Sequence, residues 1–286
     1  MMAGTRKGWR DGLAIIAGRG LLPQLLAEKC RDGGLPYVVV ELENIPLNWL
    51  GKHPIIHARL EHQDHLLANI RTANCDHVVL AGGMERIPFD ATQLDENGKE
   101  LASLLTASKF EGDDGTLRTI ISYLESNDLN VVAAHDIVTE LVPEPGVLTK
   151  ASPSSADQAD AKRASEIVKA IGKVDVGQGA VVGQGICLAL ESISGTDHML
   201  NFAALHRGNY LPDPSGAAGL LFKAPKPDQD RRVDLPAIGP DTIRRASEAG
   251  LAGVVVEAGG VMILEREKTL KLADDLGLFL WVRPAV

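Results

Sequence analysis

Short apolar runs alternating with helical stretches constrain the first half of this chain more than any other feature. Residues 13–17, 37–41, 75–81 and 130–134 are rich in Val, Ile, Leu and Ala and too short for ordinary helices. Between them, residues 22–31, 65–73, 101–109 and 116–125 read as helices. Strands joined through helices do not pair as tight hairpins; the crossovers impose a parallel sheet. The expected fold is an open, Rossmann-like α/β domain.

Two glycine loops follow strands of that sheet. Gly18-Arg19-Gly20 lies where the first strand passes into a helix, a position suited to phosphate binding through backbone N–H groups and the helix dipole. A dinucleotide fingerprint would carry a third glycine where this chain has Pro23, so the pair of glycines also reads as a plain tight turn. Gly82-Gly83 follows the third strand at the same sheet edge. Glu41 or Glu43, at the end of the second strand, could meet a ribose hydroxyl or sit solvated. In Gly112-Asp113-Asp114-Gly115-Thr116 the two acids suit either a helix cap or a metal. His135-Asp136 follows the fourth strand.

Composition changes near residue 143, where Pro143-Glu144-Pro145-Gly146 and Ser152-Pro153-Ser154-Ser155 read as a linker. The expected division is a domain at 1–142, a linker at 143–156 and a second α/β domain at 157–286, with a ligand cleft between the domains. A helix over 157–171, capped by Asp157, opens the second domain. Strands are expected at 180–182, 186–191, 254–257, 261–265 and 279–282, with helices at 196–205, 241–249 and 269–276. Asp175, Gln178, Glu191, Thr196 and Asp197 are polar residues beside glycines, as in a cleft lining or in turns.

The densest chemistry lies at residues 223–240, after an apolar run at 219–222. Seven of the first twelve residues are charged: Lys223, Lys226, Asp228, Asp230, Arg231, Arg232 and Asp234. Prolines and the lack of helical periodicity predict an extended segment or loop. Wherever it is extended, the even spacing of Asp228, Asp230 and Asp234 sends their carboxylates to one side. Acids that hold a magnesium ion or orient water, beside bases that neutralise phosphate oxygens, suit phosphoryl chemistry. A self-paired solvated loop is the alternative.

Other features remove function classes. Aromatic residues are only 4% of the 286 and the net charge is −9, which argues against a nucleic-acid partner. Cys30, Cys75 and Cys187 lack disulfide or zinc spacing and read as free thiols of a reducing compartment. The apolar run after the basic N-terminus is too short for a signal peptide or membrane span, so the expectation is a soluble cytoplasmic protein. The sequence has no H-E-x-x-H, G-x-S-x-G or Walker lysine loop.

IAGRGLLPQLLAE, VVLAGGMERIP, FEGDDGTLRTI, VVAAHDIV, DVGQGAVV, ESISGTDHML, KPDQDRRVDLPAIGPDTI and GVVVEAGG occur here in that order. Together they resemble the LpxI-type UDP-2,3-diacylglucosamine pyrophosphatases of lipid A biosynthesis across nearly the whole chain. The resemblance implies hydrolysis of the substrate's pyrophosphate to UMP and 2,3-diacylglucosamine 1-phosphate (lipid X), with Mg2+ or another divalent cation. By the same resemblance the first domain binds the uridine diphosphate end and the 229–234 segment carries catalytic carboxylates. Asp230 and Asp234 are the expected metal ligands, with Lys226 and Arg232 carrying developing charge. Gly18, Arg19, Gly20, Gly82, Gly83, Asp113, Asp114, Gln178, Thr196, Asp197, Lys223 and Gln229 are the expected substrate contacts. Asp228 departs from the smaller residue expected there. Peripheral contact with the inner membrane face and a homo-oligomer remain open. The competing classes are a non-catalytic nucleotide-sugar or lipid carrier and a nicotinamide-dependent oxidoreductase.

Overall fold

The computed structural model describes residues 12–84, 90–108, 112–227 and 229–285. The chain divides into two compact units between Val138 and Thr139. Both are α/β, as the alternation of the sequence predicts.

The first unit is built on β1 (Gly12–Ala17), β2 (Tyr37–Leu42), β3 (Ile55–Ala58), β4 (Cys75–Ala81) and β5 (Asn130–Val131). These form one parallel sheet in the order β3-β2-β1-β4-β5. β1 is buried along its whole length, as a central strand covered on both faces must be. The strand missed by sequence reading is β3, four residues after Pro54 that are too few to reveal a period. Helix α1 (Leu22–Gly33) has Pro23 in its first turn, where a missing N–H costs nothing. It ends on left-handed Gly34, whose N–H and that of Leu35 return to Arg31 and Cys30 carbonyls.

Helices α2 (Gln63–Thr72) and α3 (Glu96–Ala107) share a capping group. Asp95 caps α3 by accepting the Gly98 N–H at 2.7 Å. The same carboxylate accepts the Gln63 and Asp64 N–H groups of α2 at 3.1 and 2.8 Å. Helix α4 (Gly112–Ser126) and the short α5 (Ala134–Ile137) complete the unit. Asp114 was expected as a cap, but α4 begins two residues earlier. Asp114 lies in its first turn and pairs with Arg118 at 2.5 Å, one helical turn on. Asn130–Val131 is shorter than expected because Ala134 already starts α5.

The second unit holds a mixed sheet in the order β6-β13-β11-β9-β7-β8. Its strands are β6 (Gly146–Val147), β7 (Gly179–Gly183), β8 (Ile186–Leu190), β9 (Leu220–Lys223), β11 (Gly253–Glu257) and β13 (Phe279–Arg283). The strands β9, β11 and β13 are parallel, while β7, β8 and β6 run antiparallel to their neighbours. A small parallel pair joins β10 (Ala237–Ile238) to β12 (Met262–Ile263). Residues 143–156 do more than link, since β6 pairs with β13.

Alternate residues of the central strands sort onto two faces. Leu220, Phe222 and Val255 pack with Ala161, Ala164 and Val168 of α6 (Ser155–Gly172). Leu221, Val254 and Val256 pack instead with Leu200 of α7 (Gly195–His206), Ile243 of α8 (Pro240–Glu248) and Ala273 of α9 (Arg266–Asp275). Asp157 is not the cap of α6. Ser154 is, with Asp157 in the third helical position completing a capping box whose side chain accepts the Ser154 N–H at 2.9 Å.

Candidate active site

The strand order of the first sheet reverses between β1 and β4, the place where open α/β sheets bind ligands. The two glycine loops meet there, as the sequence implied, but mostly with each other. Arg19 N–H donates to the Gly83 carbonyl at 2.8 Å and Gly83 N–H to the Arg19 carbonyl at 3.0 Å. Gly18 N–H donates to Ala81 at 2.7 Å. Three of the amides that phosphate would need are therefore already bonded within the protein. Gly82, at φ +89°, is demanded by this seam: a Cβ there would lie 2.4 Å from the Arg19 carbonyl oxygen and 3.0 Å from the Pro23 ring. Pro23, standing where a dinucleotide fingerprint has glycine, thus packs directly on the second loop. Gly20, at φ +97°, differs: among the described residues no atom lies within 4 Å of where a Cβ would go, and the same holds for Gly83.

The acids near this edge have protein partners. Glu41 accepts the Leu47 N–H at 2.8 Å and pairs with His57 at 2.8 Å, while Glu43 pairs with Arg59 at 2.7 Å. Asp113 lies in the first turn of α4.

In the second unit, parallel strands β9, β11 and β13 end on charged residues: Lys223, Glu257 and Arg283. The side chains of Lys223 and Glu257 fall on opposite faces of the sheet by strand alternation. Lys223 is buried, with 4% of its surface exposed, on the α7 side. Its ammonium donates to Thr196 Oγ1 at 2.7 Å and lies 3.6 Å from buried Glu191. Burial pushes its pKa down, opposed by the negative charges of Glu191, Asp197 and Asp234. Asp197, one residue beyond Thr196, pairs with Arg245 at 3.2 Å. The Gln178 carbonyl accepts the Ala224 N–H at 3.1 Å, and its own buried Oε1 has no hydrogen-bond partner among the described residues.

From Ala224 the charged segment crosses this edge, with Pro225 packed against Gly260 beyond β11. Buried Gln229 folds the segment on itself: its Oε1 accepts the Lys226 N–H at 3.0 Å and its amide donates to Asp234. Lys226 Nζ pairs with Asp175 at 2.5 Å. Asp230 opens a turn, accepting the Val233 N–H on its carbonyl. Its carboxylate takes the Arg232 backbone N–H at 2.9 Å and the guanidinium through Nε at 3.0 Å and a terminal nitrogen at 2.8 Å. The turn at 231–233 ends the even alternation expected of an extended segment, so Asp230 and Asp234 have separate partners. Asp228 lies outside the described residues.

Glu257 was not singled out from sequence. Burial raises its pKa, opposed by Arg231, Arg283 and Lys169, and Arg231 lies 4.0 Å away. The available signal was a charge at a strand's end before Ala258-Gly259-Gly260. The described residues hold no group of three or more His, Cys, Asp and Glu side chains placed to bind a metal. Magnesium commonly uses only one or two carboxylates beside substrate oxygens, and the all-carboxylate set of Asp230 and Asp234 suits such a hard cation. No described helix is long and apolar enough to cross a membrane.

Comparison with known proteins matches residues 12–141 to the LpxI N-terminal domain and residues 144–281 to the LpxI C-terminal domain. The chain is 39% identical over 268 residues to the UDP-2,3-diacylglucosamine pyrophosphatase LpxI of Caulobacter vibrioides, covering 93% of this chain and 95% of that one. Among solved structures, UDP-glucose 4-epimerase of Thermotoga maritima aligns with 39% of this chain and 34% of its own at 14% identity and a TM-score of 0.24. A CobK precorrin-6A reductase aligns with 96% of this chain and 89% of its own at 16% identity and a TM-score of 0.30. Matched in both halves by the family's domain models and along nearly its full length by a named relative, the chain belongs to the LpxI family.

Proposed function

We propose that this protein hydrolyses the pyrophosphate of UDP-2,3-diacylglucosamine with the help of a divalent cation, releasing UMP and 2,3-diacylglucosamine 1-phosphate. The observation that carries the reading is 39% identity along nearly the whole length of a relative named for that activity. The folded acid-and-base segment at the β9 edge supplies groups suited to it. Water adds to one phosphorus, the bridging P–O bond breaks, and both products leave as phosphate monoester dianions with two protons released.

Asp230 and Asp234 would hold the cation, which neutralises pyrophosphate oxygens when bound. Lys226 and Arg232 exchange their carboxylate partners for the charge developing on phosphate. Lys223, through Thr196, fixes the start of α7 beneath the segment, and Gln229 keeps Asp234 in place. The uridine end is assigned to the first unit's glycine edge, where Gly20 and Gly83 leave space for a ligand.

Purified protein incubated with UDP-2,3-diacylglucosamine and Mg2+ should release UMP, and a chelator should stop it until Mg2+ is returned. Binding without turnover would replace the hydrolase with a carrier. Full turnover after exhaustive chelation would remove the cation and leave the hydrolase.

A further inference from the structure

The α6 side of the second sheet continues past the helix into an uncovered apolar surface. Ala180 packs beneath α6, and its register partner Leu190, on edge strand β8, extends the same face outward at 45% exposure. Gly177 approaches Glu191 so closely that a Cβ would lie 2.1 Å from its carbonyl oxygen. That approach brings the end of the turn carrying Val174 and Val176 up to Glu191, the residue that joins Leu190 to the Ser192–Gly195 turn. Val174 is 70% and Val176 49% exposed, and Ile193, at the tip of its turn, is 93% exposed. Nothing in the fold requires three branched aliphatic residues in water.

The flank of this surface is basic although the chain as a whole is acidic. Between Lys162 and Lys173 the exposed side of α6 and its C-cap residue carry Lys162, Arg163, Lys169 and Lys173 against one acid, Glu166, which lies 3.5 Å from Arg163. Lys162, Lys169 and Lys173 are in no ion pair among the described residues. Protruding aliphatic tips beside a row of cations match a bilayer interface with anionic headgroups, where tips enter the acyl boundary and lysines meet phosphates.

We propose that the Val174–Val176 turn, Leu190 and Ile193, flanked by the basic side of α6, dock this protein reversibly on an anionic lipid surface. This docking is independent of the hydrolysis proposed above, since it concerns the bilayer rather than a bound substrate. Lipid partition and UMP release are separate readouts, so either can fail alone.

The test is co-sedimentation of the full chain with extruded vesicles of phosphatidylcholine alone or mixed with phosphatidylglycerol. The protein should sediment with the anionic vesicles only, and salt near 1 M, where the Debye length falls to about 3 Å, should release it. Lys173→Ala should weaken partition about fivefold, the share of one interfacial cation. Val174→Asp combined with Ile193→Asp should weaken it about tenfold or more, with an unchanged thermal melt, because both side chains are solvent-exposed. No partition of the parent protein, or equal partition of the aspartate variant, overturns the proposal. So does self-association of the parent protein that the aspartate variant abolishes, which would give the surface to a second copy.

Discussion

The glycine edge of the first sheet and the charged edge of the second are both places where parallel strands end, yet they are closed by different means. At β1 and β4 the backbone of one loop bonds to the backbone of the other, and glycine is required because a Cβ would collide with a carbonyl. At β9 and β11 the closure is made of side chains: a buried ammonium, a carboxylate–guanidinium fork and a glutamine clamp. A backbone seam is rigid and chemically silent, whereas a side-chain closure can exchange partners with a charged ligand. Glycine-rich loops after strands therefore say less about phosphate than their position suggests.

The comparison is broken most severely at Lys223. Lys223→Met leaves Glu191 buried without its cation and should cost about 3–5 kcal/mol, measured as the shift in denaturant midpoint. Adding Glu191→Gln should recover much of the loss. Burial holds Lys223 below the pKa of an unfolded lysine, about 10.4. The unfolded chain thus binds more protons in the alkaline window between the two values, so this group's contribution to stability rises with pH there. That slope should vanish in Lys223→Met.

Asp230→Ala and Asp234→Ala, tested separately, should each lower kcat for UMP release by about 100-fold or more with KM nearly unchanged. Near-normal turnover in both would make the second edge as silent as the first. Gly82→Ala should destabilise the first unit by about 2 kcal/mol through collision with the Arg19 carbonyl. Gly20→Val has open space for its side chain, so its effect should appear as a several-fold rise in KM in a folded protein; an unchanged KM would make that loop only a turn. Glu41→Gln should leave KM unaltered, because the Glu41 carboxylate already holds Leu47 and His57. A raised KM would return that carboxylate to the ligand.

Long-period features were readable in the residues themselves. The β1, β2 and β4 runs, α1 and the α7, α8 and α9 stretches emerge from apolar spacing, and the two-unit α/β organisation from their alternation. Local choices between near-equal alternatives were less visible. Ser154 and Asp157 both suit a helix start, and only the reciprocal bonds of the capping box decide between them. Asp230 and Asp234 read as a pair on one side, but Asp230 followed by two arginines favours a turn, which the Arg232 fork then fixes. Glu257 escaped notice because a single acid in an apolar strand gains meaning only when Lys223 and Arg283 end the neighbouring strands.

The shared cap at Asp95 has a consequence for how the first unit opens. Ordinarily each helix frays at its own N-terminus, and its first amides exchange with solvent independently. Here the amides of Gln63, Asp64 and Gly98 converge on one carboxylate, so releasing it unlatches α2 and α3 in the same event. In hydrogen exchange these amides belong to a single opening unit with a common free energy, although they lie on different helices.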